Sequence, residues 1–130
     1  MGKKLLHKDK GQALVEMALI LPVLLLLLFG IIEFGRIFSA GLMVNHGARE
    51  GARLGAVGAA DSAIVSRVQN SVALDTSQLT VTVTPVENER KRGGEIQVQV
   101  RYPVLIYAPF ISVFTGSTVT VEGNSVMRVE

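Results

Sequence analysis

A long apolar stretch near the N-terminus limits what this chain can fold into more than any other feature of its sequence. Of the 20 residues from Ala13 to Ile32, only Glu16 is neither apolar nor small. As a helix rising about 1.5 Å per residue, the stretch is about 30 Å long, which matches the hydrocarbon core of a bilayer. A secretory signal peptide has a shorter apolar core, of roughly 7–15 residues, and ends at a small-residue cleavage site that the residues after Ile32 do not provide. We therefore predict a membrane-spanning helix over residues 12–33.

The charges on either side of this stretch predict its orientation. Residues 1–11 carry four lysines and one aspartate, whereas the twenty residues after Ile32 hold only two basic residues, Arg36 and Arg49. The positive-inside rule places such an N-terminus in the cytoplasm and the C-terminal part outside. The whole chain has 13 basic and 11 acidic side chains, so removing this basic leader leaves 9 basic and 10 acidic ones. Because nucleic-acid binding requires clustered basic residues on the folded part, no nucleic-acid partner is expected.

Two residues within the span each allow two interpretations. Pro22 removes one helical hydrogen bond, and it is either a harmless kink or a functional bend. Glu16 lies at the membrane edge, where its carboxylate either reaches water or, if it sits deeper, needs a partner, because an unpaired charge in lipid costs several kcal/mol.

The helical pattern continues after the span, over residues 34–60. Gly47, Gly51 and Gly55 recur at a spacing of four, each followed by an alanine, and such a stripe of small residues lets another element approach closely. Each glycine costs about 1 kcal/mol of helix propensity relative to alanine, so packing must compensate. Two interpretations fit: the stripe packs on the protein's own sheet, or it contacts a helix of another subunit.

Residues 61–130 predict a small extracytoplasmic domain, so the fold class is α+β. Asp61 and Ser62 resemble an N-cap for a short amphipathic helix that ends at about Leu74. The apolar period then changes to two, which predicts about three antiparallel strands with one apolar face. Two strands, over residues 79–84 and 96–102, form a hairpin, and the third runs from 118 to 129 with Gly123 as a candidate bulge. Arg90, Lys91 and Arg92 at the hairpin tip are interpreted as a solvated turn.

An apolar segment, residues 103–116, lies between the last two predicted strands. Pro103 and Pro109 are expected to break regular structure there. The segment either closes the open end of the core, enters the outer leaflet, or contacts a partner.

The chain lacks the residues that most catalytic sites need. It has no cysteine, and its two histidines, His7 and His46, stand alone; Glu50 lies four residues after His46, but one such pair is a common surface arrangement. Serines and aspartates are present without a base, and neither glycine-rich phosphate-binding motif occurs. We therefore expect no enzymatic activity, no metal site and no cofactor.

Four spaced elements in residues 11–53 carry a resemblance to a known family. They are Gly11 followed by Glu16, "LP" within the span, "IEFGR" at its end and "AREGAR" in the following helix. The segment resembles the TadE-like family, the pseudopilins of bacterial tight-adherence (Flp-type) pilus systems. The resemblance implies a pilin-like fold, with a long N-terminal transmembrane helix that continues into an exported domain.

The resemblance also implies a processing step. In precursors of this kind a prepilin peptidase cuts after a glycine and leaves a glutamate at the fifth mature position, which here means cleavage between Gly11 and Gln12. Glu16 would then pair with the new α-amine of its own or a neighbouring chain. The implied function is that of a minor pilin in the bacterial cytoplasmic membrane that assembles with other pilin and pseudopilin subunits, with a place in the pilus or at the cell surface after assembly. The alternative is an uncleaved, single-pass anchored module that binds or adheres outside the cell.

Overall fold

A computed structural model describes the backbone of residues 3–130 and the side chains of residues 11–130. The predicted leader, residues 1–11, therefore lies outside the residues with described side chains, apart from Gly11. The described chain contains a long helix, a short helix and a three-stranded antiparallel sheet, so the predicted α+β class is confirmed.

The long helix, α1, is continuous from Lys3 to Ala56 and includes Pro22. Its first part, through Ile32, is exposed along nearly its whole length, and an apolar helix without protein neighbours has the length and composition to cross a membrane. Its second part packs on the rest of the chain, with Val44, Ala48 and Ala52 fully buried. The helix is continuous across residues 33 and 34, the predicted boundary between the two parts.

A glycine ends α1 four residues earlier than predicted. Gly58 has φ +85°, a left-handed conformation that favours glycine. The N–H of Gly58 donates to the carbonyl oxygen of Gly55 at 3.0 Å, and the N–H of Ala59 donates to that of Leu54 at 3.4 Å. These two bonds form a Schellman motif, which satisfies the last carbonyls of the helix and turns the chain toward the next helix.

The second helix, α2, spans Asp61–Ser71 and packs Ile64 and Val68 against α1. The predicted N-cap is wrong, because Ala60 occupies that position and no side chain caps it. The Asp61 carboxylate instead accepts a hydrogen bond at 3.2 Å from the N–H of Glu87, which lies in the connection between the first two strands. The helix ends at Ser71, three residues before the predicted end.

The sheet is an antiparallel meander in the order β1-β2-β3, formed by Thr80–Thr84, Glu95–Leu105 and Thr118–Arg128. A short 3-10 turn, Glu87–Glu89, lies in the first connection and a four-residue helix, α3 (Ser112–Thr115), in the second. Alternate residues face α1 and α2, as the period of two requires. The buried residues of the central strand are Ile96, Val98, Val100 and Val104.

Gly123 does not form a bulge, because β2 and β3 pair residue for residue from Glu95 opposite Arg128 to Leu105 opposite Thr118. Instead it lies directly under α1. A Cβ atom at Gly123 would lie 2.6 Å from the backbone nitrogen of Asn45 and would also overlap the Val44 carbonyl group. The glycine is therefore needed because the helix backbone lies against the strand there.

Pro103 does not break β2, contrary to the sequence prediction. The pairing of β1 with β2 ends at Thr80 opposite Arg101, so from Tyr102 onward β2 has no neighbouring strand on its β1 side. The N–H of Ile106 points to the β3 side and donates to the carbonyl oxygen of Ser117 at 2.9 Å. Because N–H groups alternate in direction along a strand, the nitrogen of Pro103 points to the opposite, open edge. A proline is tolerated at such a position because no neighbour needs its missing donor.

Candidate functional site

The junction predicted to be processed lies at the exposed start of the apolar half of α1. Gly11 is helical, and a Cβ atom there would find nothing within 4 Å, so its surface is open. Gln12 and Glu16 are exposed on one side of the helix, and the Gln12 amide donates to Glu16 Oε1 at 3.3 Å. The Glu16 carboxylate therefore extends toward the turn that contains the first residues after Gly11.

The glycine stripe lies inside the protein. A Cβ atom at Gly47 would be 2.9 Å from Val72, one at Gly51 would be 2.7 Å from Val68, and one at Gly55 would collide with Ile96. The absent side chains let α2 and β2 approach the α1 backbone. The stripe thus packs on the chain's own helix and sheet, which is the first of the two interpretations, and all three glycines are buried.

A polar cluster that the sequence analysis did not identify lies where the apolar half of α1 meets the domain. Glu33 is only 5% exposed, and its carboxylate accepts hydrogen bonds from the backbone N–H groups of Tyr107 at 2.9 Å and Ala108 at 3.1 Å. Arg36, one turn further along, pairs with Glu33 at 2.9 Å and donates to the carbonyl oxygen of Leu105 at 3.1 Å. We call Glu33 and Arg36, with the backbone groups that they bind, the Glu33–Arg36 clamp.

The clamp fixes the segment between β2 and β3 to α1. A buried carboxylate is costly unless charged or N–H donors surround it, and three donors meet Glu33 here. The Arg36 guanidinium also lies over the Tyr107 ring, 4.5 Å from its centroid, which is cation–π distance. As a result, the chain that leaves β2 is held against the last residues of the predicted membrane span.

A second ion-pair cluster, centred on Glu50, joins α1 to α2. Arg67 of α2 donates to Glu50 of α1 at 2.8 Å, and this bond, with one from Arg53, holds the pKa of the Glu50 carboxyl below its usual range. Glu50 bonds these arginines rather than His46, which is exposed on the neighbouring surface of α1.

Arg90 is buried rather than solvated, so the prediction of a fully solvated hairpin tip is wrong at this residue. Its guanidinium pairs with Asp61 and donates to the carbonyl oxygens of Ala59 at 2.6 Å and Pro85 at 3.2 Å. Burial lowers the pKa of Arg90 from its ordinary value. Three backbone and side-chain partners compensate for its desolvation, whereas the next two residues of the basic run stay exposed.

In the part of the chain with described side chains, no group of three or more histidine or acidic residues is arranged to hold a metal ion. The three clusters described above, around Glu33, Glu50 and Arg90, consist of ion pairs and of hydrogen bonds to backbone groups. Their chemistry positions elements of the chain.

Comparison with known proteins gives one match. No curated protein and no solved structure matches the chain. A family model described as TadE-like protein matches residues 11–53, about one third of the chain. These residues include the predicted processing junction, the exposed apolar part of α1, the clamp residues and most of the glycine stripe. The matched segment is less than half of the chain, so the match shows a likeness to this family over that segment alone. The resemblance expected from the sequence is therefore confirmed over this segment: residues 11–53 form a TadE-like region.

Proposed function

We propose that this protein is a minor pilin that helps to assemble a tight-adherence pilus in a structural, non-enzymatic role. The observation that carries the proposal is the division of α1 into an apolar part that is exposed along nearly its whole length and a part that packs against an α+β domain. An apolar helix without protein neighbours needs either lipid or the equivalent helices of other subunits around it. A pilin uses both environments in turn, first the bilayer and then the fibre.

In this proposal a prepilin peptidase removes residues 1–11 on the cytoplasmic side and Gln12 becomes the first residue. Cleavage would free the N–H groups of the new first turn and create a positive α-amine at the positive end of the helix dipole. Glu16, four residues later, already extends toward that turn, as its contact with Gln12 shows. Its carboxylate can therefore neutralise the amine of its own chain or of a neighbour during assembly, which leaves no unpaired charge in an apolar environment.

The mature N-terminus tests the processing step. We expect mass spectrometry to find a chain beginning at Gln12 when the peptidase is present and an uncut chain when it is absent. Gly11→Leu should block cleavage, whereas Gly30→Leu, at another α1 glycine with open space around it, should not. An intact leader in a chain that still supports pilus assembly would refute the proposed processing and favour the uncleaved surface module.

A second experiment tests the role of the carboxylate. Glu16→Gln retains the shape of the side chain but removes its charge, so we expect cleavage to proceed and assembly into pili to fail. Glu89→Gln, at an exposed carboxylate of the domain, is the matched control and should assemble normally. Normal assembly by Glu16→Gln would contradict the pairing of Glu16 with an α-amine.

A further inference from the structure

We infer that the loop between β2 and β3, residues 106–117, is a second membrane contact that inserts its exposed apolar side chains into the outer interface of the bilayer. We call this segment the β2–β3 loop. The inference rests on the anchoring of α1 in the membrane and is independent of cleavage at Gly11.

The β2–β3 loop exposes large apolar side chains that the domain does not use. Phe114 is 90% exposed, Val113 78% and Phe110 65%, although Ile106 and Ala108 of the same loop are buried. The loop therefore closes the end of the core with one set of residues and presents another set outward. An exposed cluster of this kind marks a contact with lipid or with another protein.

The Glu33–Arg36 clamp sets the position of this cluster relative to the bilayer. Ile111 and Thr115 of the loop lie beside Phe34 and Ile37 of α1, around a small apolar cleft that Glu33 also lines. From residue 12 to residue 33, α1 rises about 30 Å, so its Glu33 end lies at the outer edge of the hydrocarbon core. Because the loop is bonded to that end, its exposed side chains lie at the same level and continue the apolar surface of the span.

The composition of the loop fits the same location. No charged residue and no histidine occurs between Tyr102 and Glu122, so insertion of the loop brings no charged side chain of its own into the bilayer. Tyr107, 71% exposed and stacked on Arg36, supplies the aromatic ring and neighbouring cation that are frequent at membrane interfaces. Continuity with the bilayer therefore favours lipid as the occupant of this surface over a second protein.

Depth-dependent fluorescence quenching tests the inference on the full chain. The protein has no tryptophan, so one substitution introduces a single probe. The chain is reconstituted in phosphatidylcholine vesicles that contain lipids brominated either near the headgroup end of the acyl chains or near the bilayer centre. We expect Phe114→Trp to show blue-shifted emission and stronger quenching by the shallow bromines than by the deep ones. Val113→Trp is a second exposed probe that should respond in the same way.

Two other probes separate the outcomes. Leu24→Trp, within the span, should be quenched most by the deep bromines, and Val57→Trp, an exposed apolar site at the far end of α1, should be quenched by neither. If Leu24→Trp is quenched while the loop probes respond like Val57→Trp, the inference is wrong and the anchor stands. If the loop probes change only when other pilin subunits are added, the surface binds protein and the inference is also overturned. If Leu24→Trp is quenched by neither lipid, α1 does not lie in the bilayer, and the inference is wrong because it rests on that anchor.

Discussion

Gly123→Ala tests how closely the backbones of α1 and β3 approach. The added methyl carbon would lie 2.6 Å from the Asn45 nitrogen and overlap the Val44 carbonyl group, whereas ordinary contacts begin near 3.4 Å. Backbone atoms cannot rotate away as a side chain can, so the strand and helix must separate by the better part of 1 Å. Overpacking of this kind costs about 1–3 kcal/mol, and a contact with backbone belongs at the upper end. Alanine also reduces the conformational entropy of the unfolded chain, which stabilises the folded state by less than about 1 kcal/mol.

The net destabilisation should therefore be about 2 kcal/mol, which lowers the melting temperature of a domain of this size by roughly 8–16 °C. The assay is thermal unfolding of the full chain in detergent micelles, followed by circular dichroism, with hydrogen exchange to locate the loosened amides in β3. Gly41→Ala is the matched control, since a Cβ atom there meets nothing within 4 Å. It should raise stability by about 0.5–1 kcal/mol, the usual gain from replacing a helical glycine with alanine.

If the Gly123→Ala chain has the same melting temperature as the parent chain, and the control is not destabilised, this reasoning is refuted. It would mean that β3 and α1 do not pack backbone to backbone, and the position of the helix on the sheet would need another explanation.

Three further perturbations address the ion pairs. Glu33→Gln weakens the charge-assisted bonds of the clamp by about 1–3 kcal/mol, so amide exchange in the first residues of the β2–β3 loop should accelerate about tenfold or more. The pKa of Glu50 is lowered in the folded state, so its contribution to stability is present above its ordinary value of 4.5 and is lost as the pH falls through the lower folded value. The stability difference between the parent and Glu50→Gln should therefore shrink in acid. Arg90→Met leaves Asp61 without its buried partner and should cost about 1–3 kcal/mol, whereas Lys91→Met, at an exposed neighbour, should change stability by less than about 0.5 kcal/mol.

Each of these outcomes has a clear contrary result. Unchanged exchange in Glu33→Gln would show that the clamp does not hold the loop, and a pH-independent difference for Glu50→Gln would show that its carboxylate is not stabilised by the arginines. Equal stabilities of the Arg90 and Lys91 variants would place both side chains in solvent. The first two are measured by hydrogen exchange and by denaturant unfolding across pH, and the third by thermal unfolding.

The regular elements could be predicted because their signals are local. A 20-residue apolar run, a four-residue glycine spacing and an alternation of valine with threonine each reflect the period of one helix or strand. Hence α1, α2 and the three strands were expected within a few residues of their bounds. The ends were less accurate because they depend on single residues: Gly58 ends α1, and Ala60, not Asp61, occupies the N-cap position of α2.

The Glu33–Arg36 clamp could not be predicted from local pattern. Glu33 binds backbone N–H groups more than 70 positions away, and a backbone donor carries no sequence signature. Its only local signal was a carboxylate and an arginine one turn apart at the end of an apolar run. The burial of Arg90 could not be predicted for a related reason. A run of basic residues indicates exposure to solvent, whereas the partners of Arg90, Ala59 and Asp61, are about 30 residues away in the sequence. A bulge was predicted at Gly123 because a glycine within a strand pattern often marks one, and the sequence of the strand does not show that α1 packs on it there.

The unbroken course of α1 has a geometric consequence for assembly. Positions 16 and 33 are 17 residues apart on one helix, so at about 100° per residue the two carboxylates lie about 100° apart around its axis. Inserting one residue between them would turn the domain by about 100° relative to Glu16, while inserting seven would nearly restore the angle and raise the domain by about 10 Å. If Glu16 pairs with a neighbouring subunit as proposed, the number of residues in the span sets both the height of the domain and the direction that it faces in that pairing.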